Sequence, residues 1–391
     1  MSKLSTIALL NMVLFTTVTF AQQGQNPGSL IGQDTLNRNI TTAVPFLTIT
    51  PDARAAGMGD LGVATSADVN SAFWNAGKLA FINNETGYGI SASYTPWLGK
   101  IINDMSIFYL SGFYKISREQ TVAASMKYFD LGEIEFRDGS NVSLGRFNPR
   151  EFAFDVAYSR LLTENFSIGG ALRYIHSNLT GAFTSGTLDA RPGNSVAVDV
   201  GVYYTKPMQS SNSTLTLGGA ITNIGSKISY SDANNKDFIP TNMRLGGAYK
   251  TDLDPKNTIT FALELNKLLV PSPRAGSKSE PLLSGIFSSF TDARGGFQEE
   301  IHEIMTSVGV EYWYDNFFAL RAGYFLEAKD KGNRKYMTSG VGFRYNKFGA
   351  DIAYLVPTNK RENPLAETLR ITVMMNFAKK VKESDSVTDS K

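Results

Sequence analysis

Few residues of this chain are equipped for chemistry. Among its 391 residues there are two histidines, His176 and His302, and no cysteine. Disulfides, thiol nucleophiles, Cys-ligated zinc and lipid-modified cysteine are thereby excluded. Hydrolysis needs a nucleophile with a base in hydrogen-bond reach, and no Ser/His/Asp grouping can be assembled around either histidine. His176 falls near the end of a β-patterned segment, and His302 follows Glu299 and Glu300, which read as solvated loop charge. One short motif remains: Gly57, Gly59 and Gly62 match G-x-G-x-x-G. A dinucleotide site requires a strand before that motif and a helix after it, inside an α/β unit. No such unit surrounds it, and the glycines read instead as points of close packing. The expectation is a chain that is not an enzyme and carries neither cofactor nor metal.

Charge narrows the class further. The 38 Lys and Arg residues against 36 Asp and Glu leave a formal charge of +2, which is no footprint for nucleic acid. Charged residues make up 19% of the chain, below the roughly 25% of an average soluble domain. The N-terminus reads as an export signal. Lys3 supplies the positive charge, Ile7 to Phe20 is mostly apolar, and Thr19-Phe20-Ala21 places small residues at −3 and −1. Residues 1–21 are therefore expected to be a signal peptide cleaved before Gln22. No run of about 18 apolar residues follows, so no transmembrane helix is expected.

The elements that must position any functional residue are strands. From about residue 88 to 377 apolar side chains alternate with small or polar ones, the period that sends successive residues to opposite faces of a sheet. Leu369, Ile371, Val373, Met375 and Phe377 share one face; Arg370, Thr372, Met374 and Asn376 share the other. Fourteen such segments are expected near 88–98, 104–117, 120–137, 151–162, 165–178, 195–206, 213–228, 239–252, 257–270, 303–314, 317–328, 335–346, 348–357 and 367–377. Short connections, such as Thr163-Glu164-Asn165 and Asn346-Lys347, alternate with long ones such as 138–150, 179–194 and 271–302. Short turns on one side and long loops on the other are the habit of outer-membrane barrels. A soluble sandwich also alternates, but Tyr and Phe recur near strand ends, as in an interfacial girdle. The fold class expected is all-β transmembrane: an antiparallel 14-stranded outer-membrane β-barrel with a short N-terminal helical or plug segment. Its divisions are 22–87 for lead-in and plug, 88–377 for the barrel, and 378–391 for a disordered periplasmic tail.

If the apolar face meets lipid, the other face lines the lumen. It carries Asp155, Arg173, Asp199, Arg244, Glu264, Glu311, Arg321, Arg344, Asp351 and Arg370. An Arg or Lys facing lipid at midplane would cost about 2–4 kcal/mol, so these charges belong inside. Their mixed signs suggest an ion-paired interior more than a single-sign filter.

The segment before the first strand carries a recognisable signature. Asp52-Ala53-Arg54-Ala55-Ala56-Gly57-Met58-Gly59, followed by Ser71-Ala72-Phe73-Trp74-Asn75, resembles the start of the PorV/PorQ outer-membrane family. Tyr94-Thr95-Pro96-Trp97-Leu98, Tyr128 to Gly132, Ala157 to Arg160, Ala171 to Ile175 and Ser307 to Tyr314 agree with its PorV branch. Asn75-Ala76-Gly77 departs from the usual Asn-Pro-Ala and loses one rigid φ. Asp52, Arg54, Gly57, Gly59, Trp74 and Asn75 are the signature positions, and Ser66 or Asp68 is expected to cap a helix running to Leu79. The resemblance implies a FadL-like barrel in the outer membrane of a Bacteroidetes-type bacterium, serving type IX secretion. It implies a shuttle that collects cargo by its C-terminal signal domain at a SprA-type translocon and delivers it to a PorU-type attachment complex. The competing expectation is a FadL-like channel or carrier for hydrophobic small molecules, whose cue would be a continuous apolar lumen path.

A docking surface is expected in the longest loop. Leu282, Leu283, Ile286, Phe287 and Phe290 form an apolar stripe at helical spacing, and exposed apolar stripes mark interaction surfaces. Loop 179–194, with Phe183, Leu188 and Arg191, is the second candidate.

Overall fold

The computed structural model describes residues 38–97, 104–137, 140–179, 183–185, 188–231, 236–272, 280–358 and 368–378. The expected signal peptide, the first part of the lead-in and the tail beyond 378 lie outside them. Fourteen strands close into one antiparallel barrel: β1 (Thr86–Pro96), β2 (Ser106–Lys115), β3 (Gln120–Asp130), β4 (Arg150–Thr163), β5 (Phe166–Asn178), β6 (Gly193–Met208), β7 (Ser213–Gly225), β8 (Asn242–Asp252), β9 (Asn257–Leu268), β10 (Ile304–Tyr314), β11 (Phe318–Leu326), β12 (Lys335–Tyr345), β13 (Phe348–Pro357) and β14 (Leu369–Ala378). Every strand pairs with its sequence neighbours, and β1 pairs with β14 to close the wall. This is the 14-stranded barrel expected from alternation. The expected 120–137 strand divides, because the wall ends at Asp130 and Ile134–Arg137 leaves it to pair with Ser143–Phe147.

The alternation fixes which face is which. On β6 Val196, Val198, Val200 and Val202 are exposed, while Ala197 and Asp199 are buried. Water would reject so much exposed valine, leucine and tyrosine, and closure leaves no unpaired edge in hydrocarbon. No helix among the described residues is long and apolar enough to cross a membrane. Short turns lie at one end of the wall, and both β1 and β14 reach that end through their outer termini. Asp315 and Asn316 both take φ near +51° in the β10–β11 turn, the geometry of a tight hairpin that Asn and Asp tolerate.

Residues 44–82 fill the interior as a plug of short pieces: Pro45–Thr48, Ala53–Ala56, Ser71–Trp74 and Ala76–Phe81. The single helix expected up to Leu79 is broken at Asn75, whose backbone is extended. Asn75 Nδ2 donates to the Val63 and Val202 carbonyls while its Oδ1 accepts the Gly77 amide. Those bonds hold the side chain between plug and wall and stop the helix. Neither Ser66 nor Asp68 is the cap residue, which is Asn70. Asp68 instead accepts the Asn70 amide. The plug buries Val69, Ala72, Leu79 and Ile82 against Phe113, Ala123, Ala157 and Ala171 of the wall. Backbone meets backbone closely: a Cβ on Gly323 would stand 2.1 Å from the Met58 carbonyl carbon. That approach is a reason for small residues on the inner face.

Candidate functional site

Arg54 is the hub of the plug. Its helix starts at Asp52, whose carboxylate accepts the Ala55 amide at 2.9 Å and the Trp74 indole N–H at 2.8 Å. Arg54 donates two bonds to Glu311 of β10, at 2.9 and 2.8 Å, one to Asp68 at 2.8 Å and one to the Ser66 hydroxyl at 2.6 Å. Glu311 also accepts from Arg321 of β11 at 2.7 Å, Arg321 reaches Asp351 of β13 at 2.8 Å, and Asp351 accepts from Arg344 of β12 at 2.7 Å. One chain of alternating charge thus ties the plug to four adjacent strands. Such fork-shaped Arg–carboxylate contacts are directional as well as strong.

The remaining inward charges form smaller groups. Arg173 of β5 donates to Asp155 of β4 at 2.5 Å, to Asp199 of β6 at 2.9 Å and to Asn223. Glu264 of β9 accepts the Gly62 and Val63 amides at 2.7 and 2.9 Å. Arg244 of β8 lies 3.8 Å from Glu264 and places its guanidinium over the Trp74 and Phe73 rings at 4.8 and 5.3 Å. Arg370 of β14 pairs with Asp60 at 2.5 Å. The structure therefore brings all ten inward positions to contacts with opposite charge. The signature glycines sit at close approaches. Gly57 lies against Gly340 of the wall, and a Cβ on Gly62 would stand 2.2 Å from the Trp74 ring. Gly59 has φ +82°, and its amide donates to Thr338 at 2.8 Å.

Several members of the network were missed from sequence. Lys115 and Lys127 point inward from β2 and β3, donating to the Ile82 and Ile49 carbonyls of the plug. Their parity with Ser111 and Ser125 was the available signal. Asp60 and Lys78 lie in the plug, where no period exists; Lys78 donates to the Gly62 carbonyl at 2.6 Å. Two polar cavities flank this region. One, of about 430 Å³, opens toward the short-turn end and is lined by Arg54, Asp68, Lys250, Glu311, Trp313 and Arg344 among others. The other, of about 80 Å³, lies toward the long loops and includes Trp74, Asp60, Arg244 and Arg370. His176 contacts Asn194 and His302 contacts Asp330. Among the described residues no group of three or more His, Asp or Glu could hold a metal ion.

The loop between β9 and β10 carries the expected apolar stripe, but divided. In the helix Leu282–Ser288, Gly285 and Ile286 are buried, with Gly285 against Phe238. Leu282 is half-buried, whereas Leu283, Phe287 and Phe290 are 63%, 72% and 43% exposed. Phe297, at 80%, and Ile301 add to the exposed apolar surface of this loop. An apolar arc this wide on a short helix both seats the helix and faces outward. Phe183 falls in a small ladder, Phe183–Ser185 with Leu188–Ala190, away from the barrel wall.

The loop's acids are not solvated, contrary to expectation. Glu299, Glu300 and Glu303 are 5%, 8% and 5% exposed. Lys331 bridges Glu299 and Glu303, each at 2.8 Å, Lys267 of β9 reaches Glu300 and Glu303 at 3.1 and 2.5 Å, and Arg38 also pairs with Glu299. Burial pushes the Glu299 carboxyl up, but bonds from Lys331, the Gly295 amide and Arg38 outweigh it and hold it down to about 2. Burial pulls the Lys331 ammonium down, and Glu299 and Glu303 more than reverse this, leaving it raised.

A family model described as type IX secretion system protein PorV matches residues 32–275, more than half of the chain. The chain belongs to the PorV family. Comparison with curated proteins gives no match. Among solved structures, the toluene transporter TodX of P. putida is similar at TM-score 0.51 and 11% identity, over 84% of this chain and 99% of that one. A TodX mutant titled a monoaromatic hydrocarbon channel gives the same TM-score and identity, over 84% and 98%. A Pseudomonas aeruginosa FadL homologue is similar at TM-score 0.46 and 11% identity, over 84% and 99%. At such identity the TodX likeness is one of fold. PorV membership and the closed barrel place this protein in the outer membrane as a component of type IX secretion, with its wall in the lipid bilayer. The family is one of type IX secretion proteins, and the fold is a closed outer-membrane-type barrel.

Proposed function

We propose that this barrel is a shuttle of type IX secretion. It binds cargo through the C-terminal signal domain at a SprA-type translocon and delivers it to a PorU-type attachment complex at the cell surface. The observation that carries the reading is the loop between β9 and β10. It presents Leu283, Phe287 and Phe290 outward, and its acidic base is fastened by Lys267, Lys331 and Arg38. Rigid apolar side chains on an anchored loop lose little freedom on docking, which is what favours a strong interface. The second docking segment of this reading is loop 179–194, which carries Phe183.

The test is the double substitution Phe287→Asp and Phe290→Asp in the native membrane. The barrel is expected to remain folded and heat-modifiable while recovery of translocon and cargo on its affinity purification falls at least about tenfold, the scale of one lost apolar hot spot. Undiminished recovery would remove this loop as the dock. The alternative, a carrier for hydrophobic small molecules, rests on the barrel's likeness to TodX. It is the weaker reading because both lumen cavities are lined by charged side chains. Purification that returned only lipid or small apolar molecules would favour it.

A further inference from the structure

We propose that the outer wall of β4–β6 holds the phosphate of a membrane lipid at its long-loop end. Arg150 and Asn194 bind the phosphate, and the acyl chains lie on the apolar rows below. The site faces the bilayer, not the lumen.

Strand register builds a polar row there. Phe152 of β4, His176 of β5 and Asn194 of β6 stand side by side, on the same outward parity as the exposed Phe154, Leu172 and Val196. Asn194 Oδ1 accepts from the Tyr174 hydroxyl at 2.7 Å and from His176 Nδ1 at 2.8 Å, and the His176 ring lies 5.0 Å from that of Phe152. With Oδ1 so engaged, the Asn194 Nδ2 donor has no partner among the described residues. Arg150 is exposed and pairs in register with Asn178, diagonal to His176. Diagonal neighbours are about 7–8 Å apart, within reach of a long side chain. Asp130 faces Arg150 in register, yet it accepts the Gly132 amide, and the Arg150 guanidinium makes no ion pair among the described residues. Neighbouring strands are about 4.8 Å apart, which leaves roughly 12 Å between the Arg150 and Asn194 backbones. Their side chains can close on a phosphate lying over β5.

Depth selects what the occupant is. Arg150 and Arg160 are both exposed on the outward parity of β4, ten residues apart. At about 3.4 Å per residue and a tilt of roughly 40°, they stand about 25 Å apart along the membrane normal. That is the height of the apolar band of an outer-membrane barrel. The two arginines therefore mark its two edges, and Arg150 stands at the level of the outer headgroups. Beneath the polar row lie Phe154, Tyr174 and Val196, then Val156, Leu172 and Val198, all 41% to 68% exposed. A cation and an amide donor above two apolar rows match a lipid whose headgroup carries a phosphate. A soluble anion would gain nothing from those rows. Guanidinium suits phosphate because its planar fork offers paired N–H donors.

The test titrates the full-length barrel in detergent with dioleoyl phosphatidic acid and with dioleoylglycerol, which has the same chains and no phosphate. Native mass spectrometry counts the bound lipid. Phosphatidic acid is expected to bind saturably and at least about tenfold more tightly, the scale of one charge-assisted hydrogen bond. Arg150→Gln and Asn194→Asp should each weaken the first lipid by about tenfold, while Arg160→Gln, at the other edge of the band, leaves it unchanged. Arg150 and Asn194 are both exposed, so the variants should keep the heat-modifiability of the folded barrel. Equal binding of the two lipids, or an unchanged affinity in Arg150→Gln, would overturn the site. Displacement of phosphatidic acid by an equal concentration of inorganic phosphate would assign the site to free phosphate and overturn the lipid.

Discussion

Replacing Arg54 with Gln leaves Asp68 without its cation and Glu311 with only Arg321. Removing one partner from a buried pair costs about 3–5 kcal/mol, and the remaining Arg321 keeps the loss near the lower figure. The expected outcome is a lower urea midpoint for the detergent-solubilised barrel, with protease cleavage appearing first in the plug. Gly62→Ala tests packing without charge. A Cβ there would stand 2.2 Å from the Trp74 ring, and overpacking of this kind costs about 1–3 kcal/mol, read by the same titration. At this scale sequence was informative only where a period existed. Parity on the strands placed Arg173, Glu264 and Glu311 inside, and the same parity would have placed Lys115 and Lys127. Asp60 and Lys78 had no such signal, because an irregular chain inside a barrel has no repeating face.

The β9–β10 loop behaves as an element with its own clamp. The Glu299 carboxyl is held below its unfolded value of about 4.3, so its contribution is complete above that pH and is lost as pH falls toward about 2. Lys331 is raised, so its contribution is present at neutral pH and disappears only as alkali removes its proton. The loop should therefore be firm at pH 7 and loosen in acid. Hydrogen exchange over residues 280–303, corrected for intrinsic rate, is expected to be faster at pH 3 than at pH 7, and Lys331→Met should produce the same loosening at pH 7. Equal protection at both pH values would show the clamp to be immaterial. Helical spacing located this element from sequence. It did not reveal which arc faces down, since Phe238, the seat for Gly285, is far away in the chain. The acids looked solvated for the same reason: Lys267, Lys331 and Arg38 come from three distant segments.

The whole barrel was the most legible level, since two-residue alternation and alternating turn lengths depend only on local order. The plug's course was not, because its contacts are made across the whole chain. With the plug in place the lumen is divided, and the full-length protein reconstituted in a planar bilayer is expected to pass little ion current. Deleting residues 44–82 should give steady conduction if the wall still closes. Steady current through the full-length protein would show that the plug does not obstruct the lumen.

The distance along the chain between plug and wall partners has a consequence for assembly. The Ala53 amide donates to the Thr372 hydroxyl on β14, and Asp60 pairs with Arg370 on the same strand. The segment synthesised before the first strand is thus fastened by the last. Until β14 arrives, the plug lacks these two ties, and contacts spanning nearly the entire sequence form late and slowly. Closure of the β1–β14 seam and the last step of seating the plug then become a single event. A mutation that delays the C-terminal strand would leave a chain with most of its wall built and its interior still open, a natural substrate for periplasmic quality control.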